Sequence, residues 1–509
     1  MKEFKSKTEL LEYAKQAESL TFGHIDKTDR LKNKRLKGGL GQIVEESFFG
    51  YEVNSDKEAD FKDLGVELKV TPIRELKNGM ISSKERLVLN IINYEKEYKK
   101  TFYTSSFWEK NAELLIMFYL WRKDWERKDY PIVKSILHNF NETDLAIIKQ
   151  DWQKIVNKIK EGKAHELSEG DTNYLGAVTK GASSKSVRVQ PFSDIKAKQR
   201  AFSLKQSYMT ALAREMITDE ELAKATNKKV RKKRLKKYKS IIKDKSILEN
   251  QSFDDYILSL FNNYIGYSRK NLIELLNMDI DKNRVPKHLN YHIIRHILNV
   301  DGHQDKVLAE EFEKANIAVK TIELNDGKMP RESMKIQEIN DFTDITDVEW
   351  EESNLYQYLE STRFLFVIFN KTAENIVKLE KVKFWAMPRN DLDNVVRPAW
   401  ENEKKKILSG VELTYTPRNN TKGYIVKNNL IKQEDNKIIH IRPSAQEAQY
   451  QPPYRRMKDN KLMNNARKLP TKANWINRPE NKKEELQDFW MTKQAFWLNN
   501  RYIIDMINE

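Results

Sequence analysis

The chain has 509 residues, too many for one ordinary domain, and its 39% hydrophobic and 10% aromatic content can build sizeable cores. Lys and Arg number 91 against 75 Asp and Glu, a formal charge of +16, which points to a polyanionic partner, most often nucleic acid. There is no Cys, so disulfides, thiolate metal sites and cysteine nucleophiles are excluded.

The first residues, Met1 to Lys5, lead into a charged amphipathic stretch without the apolar core of a signal peptide, so a cytoplasmic location is expected. Gly41 to Gly50 reads as a helix carrying the acid pair Glu45 and Glu46. Val66 to Val70 alternates with period two, as a strand does, and Pro72 is expected to close it. Leu87 to Tyr94 and Leu114 to Trp121 also read as strands. Asp151 to Glu161 places Trp152, Ile155, Val156 and Ile159 on one helical face, and Leu204 to Glu215 reads as another helix. From Lys228 to Lys239, nine of twelve residues are Lys or Arg, which reads as a linker, either solvated or lying along phosphate. The longest apolar runs, Leu114 to Trp121 and Phe364 to Phe369, are too short to cross a bilayer, so no membrane partner is expected. Helical patterns broken by β-rich islands give an α/β or α+β class.

The strand near Glu67 carries the chemistry. Alternation puts Glu67 and Lys69 on one face and Val66, Leu68 and Val70 on the other. Asp60 precedes Glu67 by seven residues, giving the pattern Asp-x6-Glu-x-Lys. Phosphodiester hydrolysis needs a nucleophilic water and stabilisation of charge on phosphorus. Two carboxylates can hold Mg²⁺ through hard oxygens, and a neighbouring Lys can orient the water and steady the developing charge. Asp60 and Glu67 are therefore candidate metal ligands, with Lys69 the third member. A surface salt-bridge ladder is the competing reading of the same pattern.

The segment KGGLGQIVEESFFG followed by DFKDLGVELKVTPI resembles the MutH family of endonucleases. Asp151 to Ser183 and Lys196 to Glu215 follow in the family's order, and the likeness covers roughly residues 35 to 215. The family includes a mismatch-repair nicking enzyme and two-domain type II restriction enzymes that cut at GATC. Asn78 to Lys96 is similar to the restriction-enzyme branch. The resemblance implies a mixed-sheet PD-(D/E)XK nuclease fold and catalysis by Asp60, Glu67 and Lys69 with Mg²⁺. It also implies an upstream helix carboxylate, for which spacing from Gly41 favours Glu45 and spacing to Gly50 favours Glu46. Lys110 sits where the family places another active-site lysine near DNA. Lys180, Arg188 and Lys205 lie in segments that would read or clamp DNA.

The second half reads as a degenerate repeat of the first. Glu311 and Lys320 line up with Asp60 and Lys69, while Ala318 stands at the position of Glu67. Ile294 and Arg295 replace the acid pair, Phe364 to Phe369 takes the place of Leu114 to Trp121, and Ala495 to Tyr502 echoes Ala201 to Tyr208. One carboxylate holds Mg²⁺ poorly, so no chemistry is expected there. Arg442 is its candidate DNA contact. The expected organisation is a catalytic MutH-like domain over 1–225, a basic linker over 226–250, and an inactive DNA-binding, allosteric MutH-like domain over 251–509.

His288, His292 and His296 share a helix face, but no acid completes a zinc set. No Gly-rich phosphate loop or methyltransferase fingerprint is present, so a separate cognate methyltransferase is expected. The reading is a type II restriction endonuclease acting on double-stranded DNA; whether two chains dimerise on DNA stays open. Its rivals are a MutH-type repair nicking enzyme and a non-catalytic DNA-binding protein.

Overall fold

The computed structural model describes all residues except 1, 34–38, 52–57, 77, 182–185, 227–237, 281–285, 419–422 and 509. Most of the basic segment therefore lies outside the described residues. The architecture is mixed α/β with both parallel and antiparallel strand pairs. Contacts divide the chain into two compact units, one of residues 1–263 with 276–319 and the other of 264–275 with 320–509.

The first unit is built on a four-stranded sheet ordered β2-β1-β4-β5, from β1 (Glu67–Glu75), β2 (Ile81–Ser83), β4 (Glu113–Leu120) and β5 (Ile132–Asn139). β1 runs parallel to β4, and the other pairs are antiparallel. β4 is apolar along nearly its whole length because it is covered on both faces, so it shows no alternation. One face packs Leu68, Leu115 and Met117 against Leu10, Phe22, Ile43 and Phe49 from the N-terminal helices. A second sheet orders β3 (Leu87–Ile91), β9 (Arg200–Leu204) and β6 (Leu175–Thr179) as β3-β9-β6.

The helix Glu142–Lys160 starts at Asn141, whose side chain accepts the Asp144 N–H, and it buries Trp152, Ile155, Val156 and Ile159 as the periodicity predicts. Its buried Asp151 accepts the backbone N–H groups of Asn173, Tyr174 and Leu175 at 2.6–3.0 Å, which fixes the start of β6. Two sequence expectations are corrected. Pro72 does not close β1, which runs on to Glu75. The Pro72 carbonyl accepts the Lys84 N–H, and β2 pairs with β1 only from Ile73, so the missing Pro N–H breaks no ladder bond. The strand read as Leu87 to Tyr94 ends at Ile91, and Asn93 caps a short helix, Tyr94–Glu97.

In the rest of the chain, strands 329–330, 317–325, 363–371 and 377–385 form a four-stranded sheet in that order. Strands 334–338, 494–498 and 439–443 form a three-stranded one. Position for position along the chain, these orders are those of β2-β1-β4-β5 and β3-β9-β6. Among the described residues no helix is long and apolar enough to cross a membrane.

Candidate active site

Asp60 reaches Glu67 because the chain between them folds back on itself. Phe61 and Val66 exchange backbone hydrogen bonds across a short turn, Lys62–Leu64, which Gly65 closes at φ +64°. That left-handed conformation favours glycine and explains its place two residues before the strand. The Asp60 N–H then donates to Glu67 Oε2 at 3.2 Å, and Asp60 Oδ2 accepts the Leu68 N–H at 2.9 Å. Glu67 is only 2% exposed. Lys69 Nζ donates to Glu67 Oε1 at 2.5 Å, and Lys110 Nζ stands 3.6 Å from the same oxygen. Lys110 is carried in the last turn of the helix Ser106–Asn111, which Ser105 caps by accepting the Trp108 N–H. Asn111, the next residue, ties that helix to Asn90 of β3 at 2.8 Å.

The two helix acids part company. The α-helix Gly39–Ile43 passes into a π-helical turn, Val44–Phe49, ended by Gly50 at φ +74°. π-turns recur at functional sites because they re-aim one side chain out of register. Here Glu45 faces the Asp60 cluster. Burial pushes its carboxyl up to about 7, with repulsion from Asp60 next and Lys69 pulling the other way. Burial likewise raises Asp60 to about 6, Glu67 adding repulsion against the pull of Lys69 and Lys110. Glu46 instead accepts two hydrogen bonds from Arg30, which hold its carboxyl below the usual range, and Arg30 also donates to Gln42 at 3.0 Å. Arg30 and the buried Tyr51 belong to this neighbourhood and went unread in the sequence. Neither sits in a motif, and only the fold brings them there.

The predicted DNA contacts scatter. Arg188 is exposed on β7 (Val187–Gln190), which pairs with β8 (Ser193–Lys198) as a hairpin. Lys180 is exposed just beyond β6, its N–H donating to Gln199 O. Lys205 departs from expectation. It is 1% exposed, and its ammonium donates to the carbonyls of Thr172 at 2.6 Å and Ala315 at 3.3 Å, so it is not presented to a ligand in this arrangement. Arg442, in the second unit, is exposed with its guanidinium 3.9 Å from the centroid of the Trp497 ring. Glu311, which the sequence aligns with Asp60, is engaged elsewhere. It accepts from the Ser240 hydroxyl and from the N–H groups of Ile241 and Ile242.

Mg²⁺ fits the first site by donor chemistry. It takes hard oxygens, commonly one or two carboxylates with water and substrate phosphate completing the shell. Asp60 and Glu67 meet that need; burial first, and then repulsion by Glu67 on Asp60 and by Asp60 on Glu45, raises these carboxyls, and a cation would relieve the repulsion. Among the described residues no group of three or more His, Cys, Asp or Glu is assembled to hold an ion unaided.

A family model described as the DNA mismatch repair enzyme MutH matches residues 49–151, which include Asp60, Glu67, Lys69 and Lys110. The type II restriction enzyme Sau3AI of Staphylococcus aureus is 40% identical over 489 residues, covering 94% of this chain and 93% of that enzyme. The chain belongs to the MutH-like nuclease family that includes Sau3AI. Within the family, the MutH protein of Shewanella woodyi is 32% identical over 184 residues, 35% of this chain and 77% of that protein. The MutH protein of Shigella flexneri is 25% identical over 216 residues, 40% of this chain and 90% of that protein. Likeness to MutH is thus confined to part of the chain, whereas likeness to Sau3AI runs through nearly all of it.

Proposed function

We propose that this chain is a type II restriction endonuclease that makes Mg²⁺-dependent double-strand cuts in DNA at GATC. One observation carries the reading: Glu45, Asp60, Glu67, Lys69 and Lys110, from four separate segments of a nuclease-family chain, gather at one carboxylate, Glu67. A salt-bridge ladder would not bury Glu67 or bring two further acids against it.

Asp60 and Glu67 would hold the ion, with the charge of Glu45 felt beside them. When bound, the ion polarises the phosphoryl oxygen and lowers the pKa of its water. Lys69, fixed by Glu67, orients the attacking water and stabilises the charge growing on phosphorus. Lys110 adds a second positive charge on the same carboxylate oxygen. The turn at Gly65, tied by the Phe61–Val66 backbone hydrogen bonds, keeps Asp60 at that position without help from substrate, so little reorganisation is spent at the moment of reaction.

Lys180 and Arg188 are the proposed DNA contacts of this domain; Lys205 would join them only if its carbonyl cage opened. The PD-(D/E)XK assignment rests on the mixed sheet with Asp60, Glu67 and Lys69 at β1. The tandem reading, 1–225 and 251–509 joined by 226–250, is supported by the repeated strand orders. The second copy would bind a further DNA site through Arg442 and stimulate cutting without cutting itself, because Ala318 replaces the acid and Glu311 is already hydrogen-bonded. DNA duplexes with and without GATC, incubated with Mg²⁺ or EDTA, test the reading. Cleavage restricted to GATC and to Mg²⁺ supports it. Cleavage of both duplexes, or of neither, counts against it.

A further inference from the structure

Beside the acids sits a polar group with nothing to bond. Tyr51 is 8% exposed, and its hydroxyl is buried without a hydrogen-bond partner among the described residues. A buried unpaired hydroxyl is destabilising, so it calls for an explanation. Its position is firmly set. The Tyr51 N–H donates to the carbonyl of Glu45 at 3.2 Å, directly after Gly50 ends the π-turn. Its ring packs edge-on against Phe61, the neighbour of Asp60, with centroids 5.6 Å apart, and lies 6.3 Å from the ring of Phe49. Asp60, Glu45 and Glu67, in that order, are the charges that act on the hydroxyl.

We propose that Tyr51 is a positioning residue of the metal site, whose hydroxyl donates to an oxygen of the Asp60–Glu45 acid pair when a divalent ion is bound. This rests on the proposed metal-dependent reading and adds a residue to it. A carboxylate has more acceptor positions than one ion uses, and a donor on the remaining oxygen fixes its rotamer. In the arrangement seen here Asp60 Oδ2 accepts the Leu68 N–H and Glu67 Oε1 accepts from Lys69, while the tyrosine hydroxyl bonds neither acid. The aromatic packing keeps the hydroxyl in place meanwhile. The orphan group is then a donor held ready, which is what preorganisation of a ligand shell requires.

The test is Tyr51→Phe, which keeps the ring and its packing and removes only the hydroxyl. Mn²⁺ and Mg²⁺ binding are measured by calorimetry on the full chain without DNA, with melting in EDTA as the fold control. Loss of a hydrogen bond to a metal-ligating side chain typically weakens affinity roughly 10–100-fold. The expected result is such a loss for Y51F, an EDTA melting temperature equal to or above wild type, and cleavage that recovers at raised Mg²⁺. Equal metal affinity in the two proteins overturns the role of Tyr51, whatever the melting temperature does. A wild-type chain that binds neither ion would overturn the metal reading beneath it, which is a distinguishable failure.

Discussion

Glu45→Gln should separate stability from activity. The Glu45 carboxyl is raised from an ordinary 4.5 to about 7, chiefly by burial and then by Asp60. That gap corresponds to about 3 kcal/mol at ~1.4 kcal/mol per pH unit. Solvent screening at a partly exposed side chain reduces it to about 1–3 kcal/mol. The sign follows from linkage. Below pH 4.5 the carboxyl is protonated folded or unfolded, and the site costs nothing. Between pH 4.5 and 7 the unfolded chain releases the proton first, so stability falls, and above pH 7 the full penalty applies. Glutamine carries no such proton. In EDTA, the variant should therefore melt close to wild type at pH 4.5 and above it at pH 8, by roughly 2–10 °C at ~2–4 °C per kcal/mol. The same variant should lose most of its cleavage with Mg²⁺. Melting curves across pH 4.5–8 decide the matter. A gap that does not widen with pH, or a variant that melts below wild type at pH 8, would refute the placement of Glu45 among the acids.

Other substitutions probe other parts of the site. Glu46→Gln should keep its cutting rate and lose only the Arg30 pairing, a change of ~0.2–1 kcal/mol readable by urea titration. Loss of cleavage there would reverse the assignment of the two acids. Lys205→Met should destabilise by about 1–3 kcal/mol through the stranded carbonyls of Thr172 and Ala315. Its salt dependence of DNA binding should match wild type, and a shallower slope would mean that Lys205 reaches phosphate. Arg188→Ala and Lys180→Ala should each reduce that log–log slope by about 0.9, measured by fluorescence anisotropy between 50 and 200 mM salt. An unchanged slope removes that residue from the interface.

The features legible in the sequence were those carried by period and spacing. Alternation placed Glu67 and Lys69 on one face of β1, and the apolar run of β4 marked a strand, whose burial on both sides the fold explains. Asp60 was legible only as part of a spaced motif; what brings it to Glu67 is the turn at Gly65. Glu45 and Glu46 could not be separated, because helical spacing assumes 3.6 residues per turn and the π-turn breaks that count. Lys205 misled for a different reason. Its place in a segment expected to clamp DNA suggests a surface, and nothing local announces that Thr172 and Ala315, distant in sequence, will enclose it. Pro72 misled because its effect depends on which neighbour flanks it, and β2 pairs only beyond it. Tyr51 and Arg30 carry no pattern at all. They enter the site through packing and a long-range ion pair, and such contacts are fixed only when the chain has folded.

The central claim is that the acids around Glu67 cut both strands of DNA. Its most direct test is a plasmid carrying GATC sites, incubated with wild type and with Asp60→Ala, in Mg²⁺ and in EDTA. The account predicts linear fragments ending at GATC for wild type in Mg²⁺, and intact plasmid in the other three reactions. Nicked circles without linear product would point to a repair-type nickase. Plasmid shifted on a gel but uncut would contradict the account outright.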